Sequence, residues 1–216
     1  MNFAQLVLDG QRTLADASGR IYGVVIGIVT DNQDPERLGR VKVQFPWLAS
    51  DAESPWARIA TLMAGNGRGS FYVPEVEDEV LVAFEHGDLR YPYVLGALWN
   101  GKDKPPETNA DGANNKRLIK SRSGLTLLLD DTAQGEKIEI ADKDGHNKLV
   151  VDMAHKKITI TSEGDMELTA SQGSITLKAK TIQINSSEKL DVQATGTLNL
   201  QGQTVNIKGQ PMVNIN

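Results

Sequence analysis

The sequence predicts an all-β protein: an N-terminal OB-fold barrel, followed by a C-terminal intertwined triple-stranded β-helix that three copies of the chain build together. Apolar patterns of helical period are almost absent after Ser18. Short strand-like runs separated by Gly, Pro and Asp occupy the first half, and the last third repeats one short step many times. We therefore divide the 216 residues into an arm at 1–20, a barrel at 21–100, a linker at 101–116 and a needle at 117–216.

Residues 1–20 contain a few apolar side chains at weak helical spacing. Two interpretations stay open: a frayed arm, or a segment in which Phe3, Leu6 and Val7 dock on a hub protein. The segment lacks the basic start of a secretory leader, and Asp9 interrupts its apolar patch, so we expect no signal peptide. No apolar run along the chain approaches the ~20 residues of a membrane span.

Five short apolar stretches predict the strands of the barrel. They are residues 21–30, 40–47, 56–63, 79–87 and 91–99. Short strands joined by loops rich in Gly, Pro and Asp fit an OB-type barrel, and the first stretch is apolar on both faces. The linker that follows is stiffened by Pro105-Pro106 and is too short to hold an inserted enzyme domain.

The barrel admits a nucleic-acid interpretation, because cations beside stacking aromatic rings are typical of single-strand binders. The side chains concerned are Arg40, Lys42, Arg58, Phe45, Trp47 and Trp56. We favour a structural interpretation, in which the tryptophans lie in the core or in a trimer contact and carboxylates balance the cations. Those carboxylates are Glu75, Glu77, Asp78 and Glu79. The net charge of −5 and the lack of a long basic run also lead us to expect no nucleic-acid partner.

The last third of the chain repeats a pair of apolar residues two positions apart, every seven or eight residues. The pairs predicted to form the trimer core of the needle are Ile158/Ile160, Ile175/Leu177, Ile182/Ile184, Leu190/Val192, Leu198/Leu200 and Val205/Ile207, and Met166/Leu168 fits the same repeat. A spacing of two buries one face of a strand, but each step has too few inward side chains to fill a single-chain solenoid. Three chains around one axis supply the missing faces and cover the strand edges. Upstream, Leu127/Leu129, Ile138/Ile140 and Leu149/Val151 follow longer steps, which predicts broader hairpin-like turns.

Several motifs of the barrel resemble a known family. They are LGRVKVQFPW at 38–47, SPWARIA at 54–60, AGNGRG at 64–69, VPEVEDEVLVAF at 73–84 and YPYVLG at 91–96. These motifs resemble the central spike domain of the valine-glycine repeat (VgrG) proteins and of the related phage baseplate assembly protein V. The resemblance implies a barrel that trimerises beneath a baseplate hub and leads into a needle. Full-length VgrG proteins carry hub domains before this barrel, whereas about 20 residues precede it here, so we expect a short form with a separate hub protein.

These expectations combine into a mechanical function, the non-enzymatic central spike of a contractile injection machine. The expected partners are two further copies, the baseplate hub protein and inner tube, a PAAR-type tip protein, an effector cargo and, transiently, the target membrane. The tip protein would bind a C-terminal platform formed by Met212, Val213, Asn214, Ile215 and Asn216. We expect assembly in the producer cytoplasm as part of a virion or phage tail-like particle, and delivery to the target cell envelope.

Two other function classes stay open: a β-helical carbohydrate-binding or carbohydrate-active protein, and an OB-fold nucleic-acid binder. Carbohydrate chemistry would use paired carboxylates in a cleft. The candidates Asp130-Asp131 and Asp142/Asp144 fall at predicted turns of a thin needle, and no aromatic residue follows Trp99. The histidines His86, His146 and His155 are isolated and there is no cysteine, so we predict no metal site, no cofactor and no catalytic residue.

Overall fold

The computed structural model describes residues 19–48 and 53–210, which divide between two compact units, Met1–Glu163 and Gly164–Asn216. The described part of the first unit contains two five-stranded sheets, a small hairpin and a single 3-10 turn at Glu85–Gly87. An all-β architecture is therefore confirmed for these residues. No helix within the described ranges has the length and apolar character needed to cross a membrane.

The first sheet is a barrel of five strands. They are β1 (Val25–Asp31), β2 (Lys42–Gln44), β3 (Arg58–Ile59), β6 (Glu79–Phe84) and β7 (Pro92–Ala97). Their order is β2-β1-β6-β7-β3, and all pairs are antiparallel except β3 with β7. β2 and β3 stand at the two ends of this order, and two backbone hydrogen bonds between Val41 and Ala57 connect the chain beside them. The strands therefore surround one core. Each of the five predicted stretches contains one strand.

The barrel core consists mainly of valines, because β-branched side chains pack well on a pleated surface. In β6 every second residue, Val80, Val82 and Phe84, points inward. The buried cluster is completed by Ile21, Val29, Val41, Val43, Phe45, Ala57 and Val94. A short hairpin, β4 (Ala64–Gly65) and β5 (Arg68–Gly69), lies between β3 and β6 in the chain and occupies the AGNGRG motif.

The second sheet is an antiparallel meander, in which each strand pairs with the next along the chain. Its strands are β8 (Lys116–Lys120), β9 (Thr126–Asp130), β10 (Lys137–Ala141), β11 (Lys148–Asp152) and β12 (Lys157–Thr161). The longer steps in this stretch leave room for a complete strand and a reversing turn, so the strands pair within one chain. The compact units divide at Glu163, and the start of the needle at residue 117 stays a prediction.

In the second unit, residues 164–210 form no hydrogen-bonded strand within one chain. The six apolar pairs from Met166/Leu168 to Val205/Ile207 nevertheless share one environment. The first member of each pair is 52–57 % exposed and the second 61–70 %. The regular repeat of the sequence is thus matched by a regular repeat of local environment, with every apolar pair open to solvent in a single copy.

The predicted core positions of this unit are therefore not buried by the chain itself. The second members of the pairs are the more exposed: Leu177 at 66 %, Ile184 at 65 %, Val192 at 62 %, Leu200 at 69 % and Ile207 at 61 %. The first members are also exposed: Ile175, Ile182, Leu190, Leu198 and Val205. The physical reason is that residues 164–210 have no strand pairing of their own and no second layer to cover an apolar side chain. Any burial at these positions has to come from outside residues 164–210.

Candidate functional site: an uncovered apolar sheet face

One face of the second sheet is almost entirely aliphatic. The strand register places Ile138 of β10 opposite Leu129 and Val151, and Ile140 opposite Leu127 and Leu149. Paired residues share a face, and alternate residues along a strand share it as well. The apolar face defined in this way comprises Ile119, Leu127, Leu129, Ile138, Ile140, Leu149, Val151, Ile158 and Ile160, and Arg117 at its β8 edge is the charged exception.

This apolar face is open to solvent in one copy of the chain. All of its members except Val151, which is half-buried, are between 36 % and 69 % exposed. Soluble proteins rarely leave an apolar patch of this extent uncovered, and such patches usually mark contact sites. The sheet therefore has the properties of an incomplete interface.

The opposite face of the same sheet is largely polar, although the half-buried Leu118, Leu128 and Val150 also lie on it. Across its five strands runs a row of alternating charge, formed by Lys116, Asp130, Lys137, Asp152 and Lys157. Hydrogen bonds from the Thr132 hydroxyl and amide, followed by the charges of Lys116 and Lys137, hold the pKa of Asp130 below its ordinary value. A face that carries such a row is better suited to water than the apolar face.

The residues predicted for the trimer core divide between this apolar face and the second unit. Ile158 and Ile160 lie on the apolar face, at 69 % and 60 % exposed. The others lie in residues 164–210, where one copy leaves all of them exposed: Ile175, Leu177, Ile182, Ile184, Leu190, Val192, Leu198, Leu200, Val205 and Ile207. One chain thus provides no core at these positions, in contrast to the buried valines of the barrel. Their burial in a trimer stays a prediction.

Two further sets of predicted site residues lie outside the described ranges. The first is the hub-docking set, Phe3, Leu6 and Val7. The second is the tip platform, which consists of Met212, Val213, Asn214, Ile215 and Asn216. Both sets stay predictions from the sequence.

The cations proposed for a nucleic-acid face are paired with carboxylates. Arg40 contacts Asp34 at 2.8 Å and Glu36 at 3.3 Å, whereas Lys42 contacts Glu53 at 3.1 Å. Arg58 lies 3.9 Å from Glu85. A basic stripe that binds phosphate would need these cations to be available, so the geometry does not favour nucleic-acid binding at this face.

The carboxylates we predicted as partners of these cations were the wrong ones. Glu75 pairs with Arg122, and Glu77 pairs with Lys102. The carboxylate of Asp78 accepts from the Glu75 amide, and that of Glu79 accepts from the Asn100 side chain. The actual partners of Arg40 are closer to it in the sequence, because Asp34 and Glu36 lie in the loop that leads directly to Arg40.

The aromatic residues of this face have separate environments. Phe45 is buried in the barrel core, and its ring centroid lies 5.7 Å from that of Trp47. Trp47 is 45 % exposed, so of its two predicted positions, core or trimer contact, the core is excluded. The Lys42 ammonium lies 5.6 Å from the ring centroid of the half-buried Trp56 and already occupies its face.

Two of the acidic groups considered for catalysis have structural roles in turns. Asp130 ends β9 and accepts hydrogen bonds from Thr132, and Asp142 accepts from the amides of His146 and Asn147. His146 and His155 are exposed, as predicted, and lie beside Glu163 and Asp152. Within residues 19–48 and 53–210, no group of three His, Asp or Glu side chains is placed to hold a metal ion.

Asp34 is an organising residue that the sequence reasoning missed. Its side chain is only 3 % exposed and accepts hydrogen bonds from the Leu38 and Glu36 amides and from the Arg40 guanidinium. The Arg40 hydrogen bond is the main reason why the pKa of Asp34 lies well below its ordinary value. The combination Asp34-Pro35 followed by Gly39-Arg40 is the turn pattern that could have indicated it.

Comparison with known proteins identifies the barrel. Residues 25–99 match the family model of the type VI secretion system/phage-baseplate injector OB domain. We refer to residues 25–99, which match this family model, as the injector OB domain. The predicted resemblance to VgrG and baseplate spike proteins is thereby confirmed.

Longer matches extend this similarity beyond the injector OB domain. The chain is 30 % identical over 147 residues to the type VI secretion system spike protein VgrG1b of Pseudomonas aeruginosa, covering 66 % of this chain and 19 % of that protein. It is 38 % identical over 95 residues to VgrG4b of the same organism, covering 40 % and 12 %. It is 28 % identical over 146 residues to VgrG3 of Vibrio cholerae, covering 62 % and 13 %. The chain thus spans at most about a fifth of the length of these relatives.

Proposed function

We propose that this chain is the structural central spike of a contractile injection machine and that it works as a homotrimer. The observation that carries the proposal is the uncovered apolar face of β8–β12, in a chain whose barrel is an injector OB domain. The similarity to spike proteins over 147 residues supports the same role.

The apolar face gives three copies a physical reason to associate. Its nine aliphatic side chains are about half exposed, so covering them gains on the order of 10 kcal/mol per copy before the cost of association. Three such sheets around one axis bring all the apolar faces inward and keep the charged rows in water. The apolar pairs of residues 164–210 favour the same association, because they also need neighbouring copies for burial.

The proposed role is mechanical and involves no catalytic step. The injector OB domain end faces the baseplate hub and inner tube, with Phe3, Leu6 and Val7 as hub contacts. The C-terminal end carries a PAAR-type tip on the platform of residues 212–216, and an effector cargo travels with it. Assembly takes place in the producing cell, and contraction drives the spike into the target envelope.

Two neighbouring residues of β12 provide a matched test of the trimer. Ile158 is on the apolar face and 69 % exposed, whereas Thr159 is on the opposite face. An Ile158→Asp substitution therefore costs a single copy little, but it places three carboxylates near the axis of a trimer. We expect light scattering to give a trimer mass for the unaltered protein and for Thr159→Asp, and a largely monomeric mass for Ile158→Asp.

A monomeric unaltered chain would contradict the proposal, because a single copy cannot cover its apolar face. A trimer that persists in Ile158→Asp would instead move the interface to another surface. Far-ultraviolet circular dichroism on all three proteins checks that each variant keeps its strands.

A further inference from the structure

A second surface, away from the proposed trimer face, has the properties of a peptide-binding groove. It lies on the injector OB domain between the loop that joins β1 to β2 and the β4–β5 hairpin. Its lining includes two arginines, Arg37 and Arg68, and no carboxylate. Three of its apolar side chains, Leu38, Met63 and Phe71, are at least half exposed.

The loop that forms one wall of the groove is held in place. The nearly buried carboxylate of Asp34 accepts a hydrogen bond from the Leu38 amide at 2.9 Å, and the Arg37 amide donates to the Asp34 carbonyl. Arg37 has a φ of 57°, an uncommon conformation for a residue with a side chain, and Gly39 follows with a φ of 70°. The loop thus presents Arg37 and Leu38 at a fixed position.

Close contacts with glycines position the other wall. A β-carbon at Gly39 would stand 3.5 Å from the ring of Phe71, so the ring lies against this glycine. A β-carbon at Gly65 would stand 2.9 Å from the central carbon of the Arg68 guanidinium. The Phe71 ring and the Arg68 guanidinium therefore each lie beside a glycine, and both are exposed to solvent in the groove.

The two groove arginines lack the acidic partner that most arginines in the described part of the chain have. Carboxylates pair with Arg40, Arg58, Arg90, Arg117 and Arg122. No ion pair involves Arg37 or Arg68 among residues 19–48 and 53–210. Two free guanidinium groups beside exposed apolar side chains favour an acidic ligand that also carries an apolar group.

The backbone beside the groove can also take part in binding. Phe71 and Tyr72 follow β5 in the chain and lie outside any strand. Their amides donate no hydrogen bond within the described residues. An extended peptide can pair with free backbone groups of this kind, and its alternate side chains then select the sequence.

We propose that this groove binds an extended acidic segment of a partner protein, one that carries a large apolar side chain between its carboxylates. The carboxylates pair with Arg37 and Arg68, and the apolar side chain packs against Phe71 and Leu38. A second copy of this chain is a poorer occupant, because most of the acidic groups described in its own barrel are already paired with cations. The proposal stands on the groove alone and does not depend on the spike function.

The test is fluorescence anisotropy of the full chain with a dye-labelled peptide, Ser-Glu-Thr-Phe-Thr-Glu-Ser, and a matched peptide in which Lys replaces Glu. We expect the acidic peptide to bind at least about tenfold more tightly than the lysine peptide, and more weakly as salt is raised. Arg37→Gln and Arg68→Gln should each weaken binding roughly five- to tenfold, and Phe71→Ser should weaken it further. The control Arg90→Gln, at an exposed arginine outside the groove, should leave binding unchanged.

Four results would overturn the proposal. Equal binding of the two peptides, or no effect of the groove arginines, removes the acidic-peptide site. Tighter binding of a single-stranded oligonucleotide that depends on the same arginines would assign the groove to a polyanion. A mass that falls on Arg37→Gln would assign it to contacts between copies. Thermal melts of each variant distinguish a lost site from a lost fold, and the mass of the unaltered protein tests the spike proposal separately.

Discussion

At the residue scale, a few polar side chains set the loop geometry of the injector OB domain. Asp34 shows this best, because one carboxylate with 3 % of its side chain exposed organises the turn from Glu36 to Arg40. The family motif at 38–47 was recognised from the sequence, but Asp34, whose carboxylate accepts hydrogen bonds from Leu38 and Arg40 of this motif, lies upstream of it. Hydrogen bonds between a side chain and amides several residues away leave no periodic pattern, and sequence analysis therefore missed Asp34.

An Asp34→Ala variant should lower the thermal midpoint of the protein by on the order of 5 °C, because several donors lose their acceptor. Asp34→Asn should lower it less, since the amide oxygen still accepts. Asp144→Ala is the control, because this turn carboxylate makes no hydrogen bond within the described residues. Differential scanning calorimetry measures all three, and equal midpoints for Asp34→Ala and Asp144→Ala would contradict the role assigned to Asp34.

The same carboxylate predicts a pH dependence. The pKa of Asp34 in the folded protein is depressed, so its stabilisation is fully present above the ordinary Asp value of about 3.9 and decreases as the pH falls towards the folded pKa. The difference in thermal midpoint between the unaltered protein and Asp34→Asn should thus be constant from neutral pH to about pH 5 and shrink below about pH 4. A difference that grows as the solution is acidified would have the wrong sign.

At the element scale, the charged row of the second sheet reinforces the register that its apolar face requires. A slip of one residue would turn every aliphatic side chain to the other side. Lys137 stands directly between Asp130 and Asp152 on the neighbouring strands. This pairing of unlike charges stabilises one register only, and like charges directly opposite destabilise a sheet.

Lys137→Glu should therefore lower the thermal midpoint of the second sheet at low salt, because it places three acids side by side and removes the ion pair in which the Lys137 ammonium lies 2.9 Å from the Glu139 carboxylate. Adding Asp130→Lys and Asp152→Lys to this variant restores alternation at the centre of the row and should recover part of the loss. The effect should diminish at high salt, since the side chains are near water. Thermal melts at about 20 mM and 500 mM salt test this, and a loss that is independent of salt would point to packing instead of charge.

The strands of the injector OB domain were predictable because alternation such as that of Val80, Val82 and Phe84 has only one interpretation. The pairing of β8–β12 within one chain was not, because pairs such as Ile138/Ile140 fit a meander and an intertwined helix equally well. Both arrangements place these residues on one apolar face. The sequence could thus indicate which residues form the apolar face, but not which strands pair with one another.

At the scale of the whole molecule, the two units differ in how much of their apolar surface one copy of the chain buries by itself. The injector OB domain has a closed core, with Val41, Val43 and Val80 fully buried. Residues 164–210 form no strand pairing within one chain, and their apolar pairs are more than half exposed. Conformational entropy opposes order in such a segment unless neighbouring copies supply burial and hydrogen bonds.

Hydrogen exchange should reveal this difference directly. In the assembled protein, amides of residues 164–210 should exchange at least about a hundredfold more slowly than in the monomeric Ile158→Asp variant, because pairing between copies protects them. Core amides such as those of Val43 and Val80 should remain protected in both proteins, since one copy already buries them. Protection of residues 164–210 that survives in the monomer would mean that this unit folds within a single chain. The apolar pairs would then be surface features, and association would rest on β8–β12 alone.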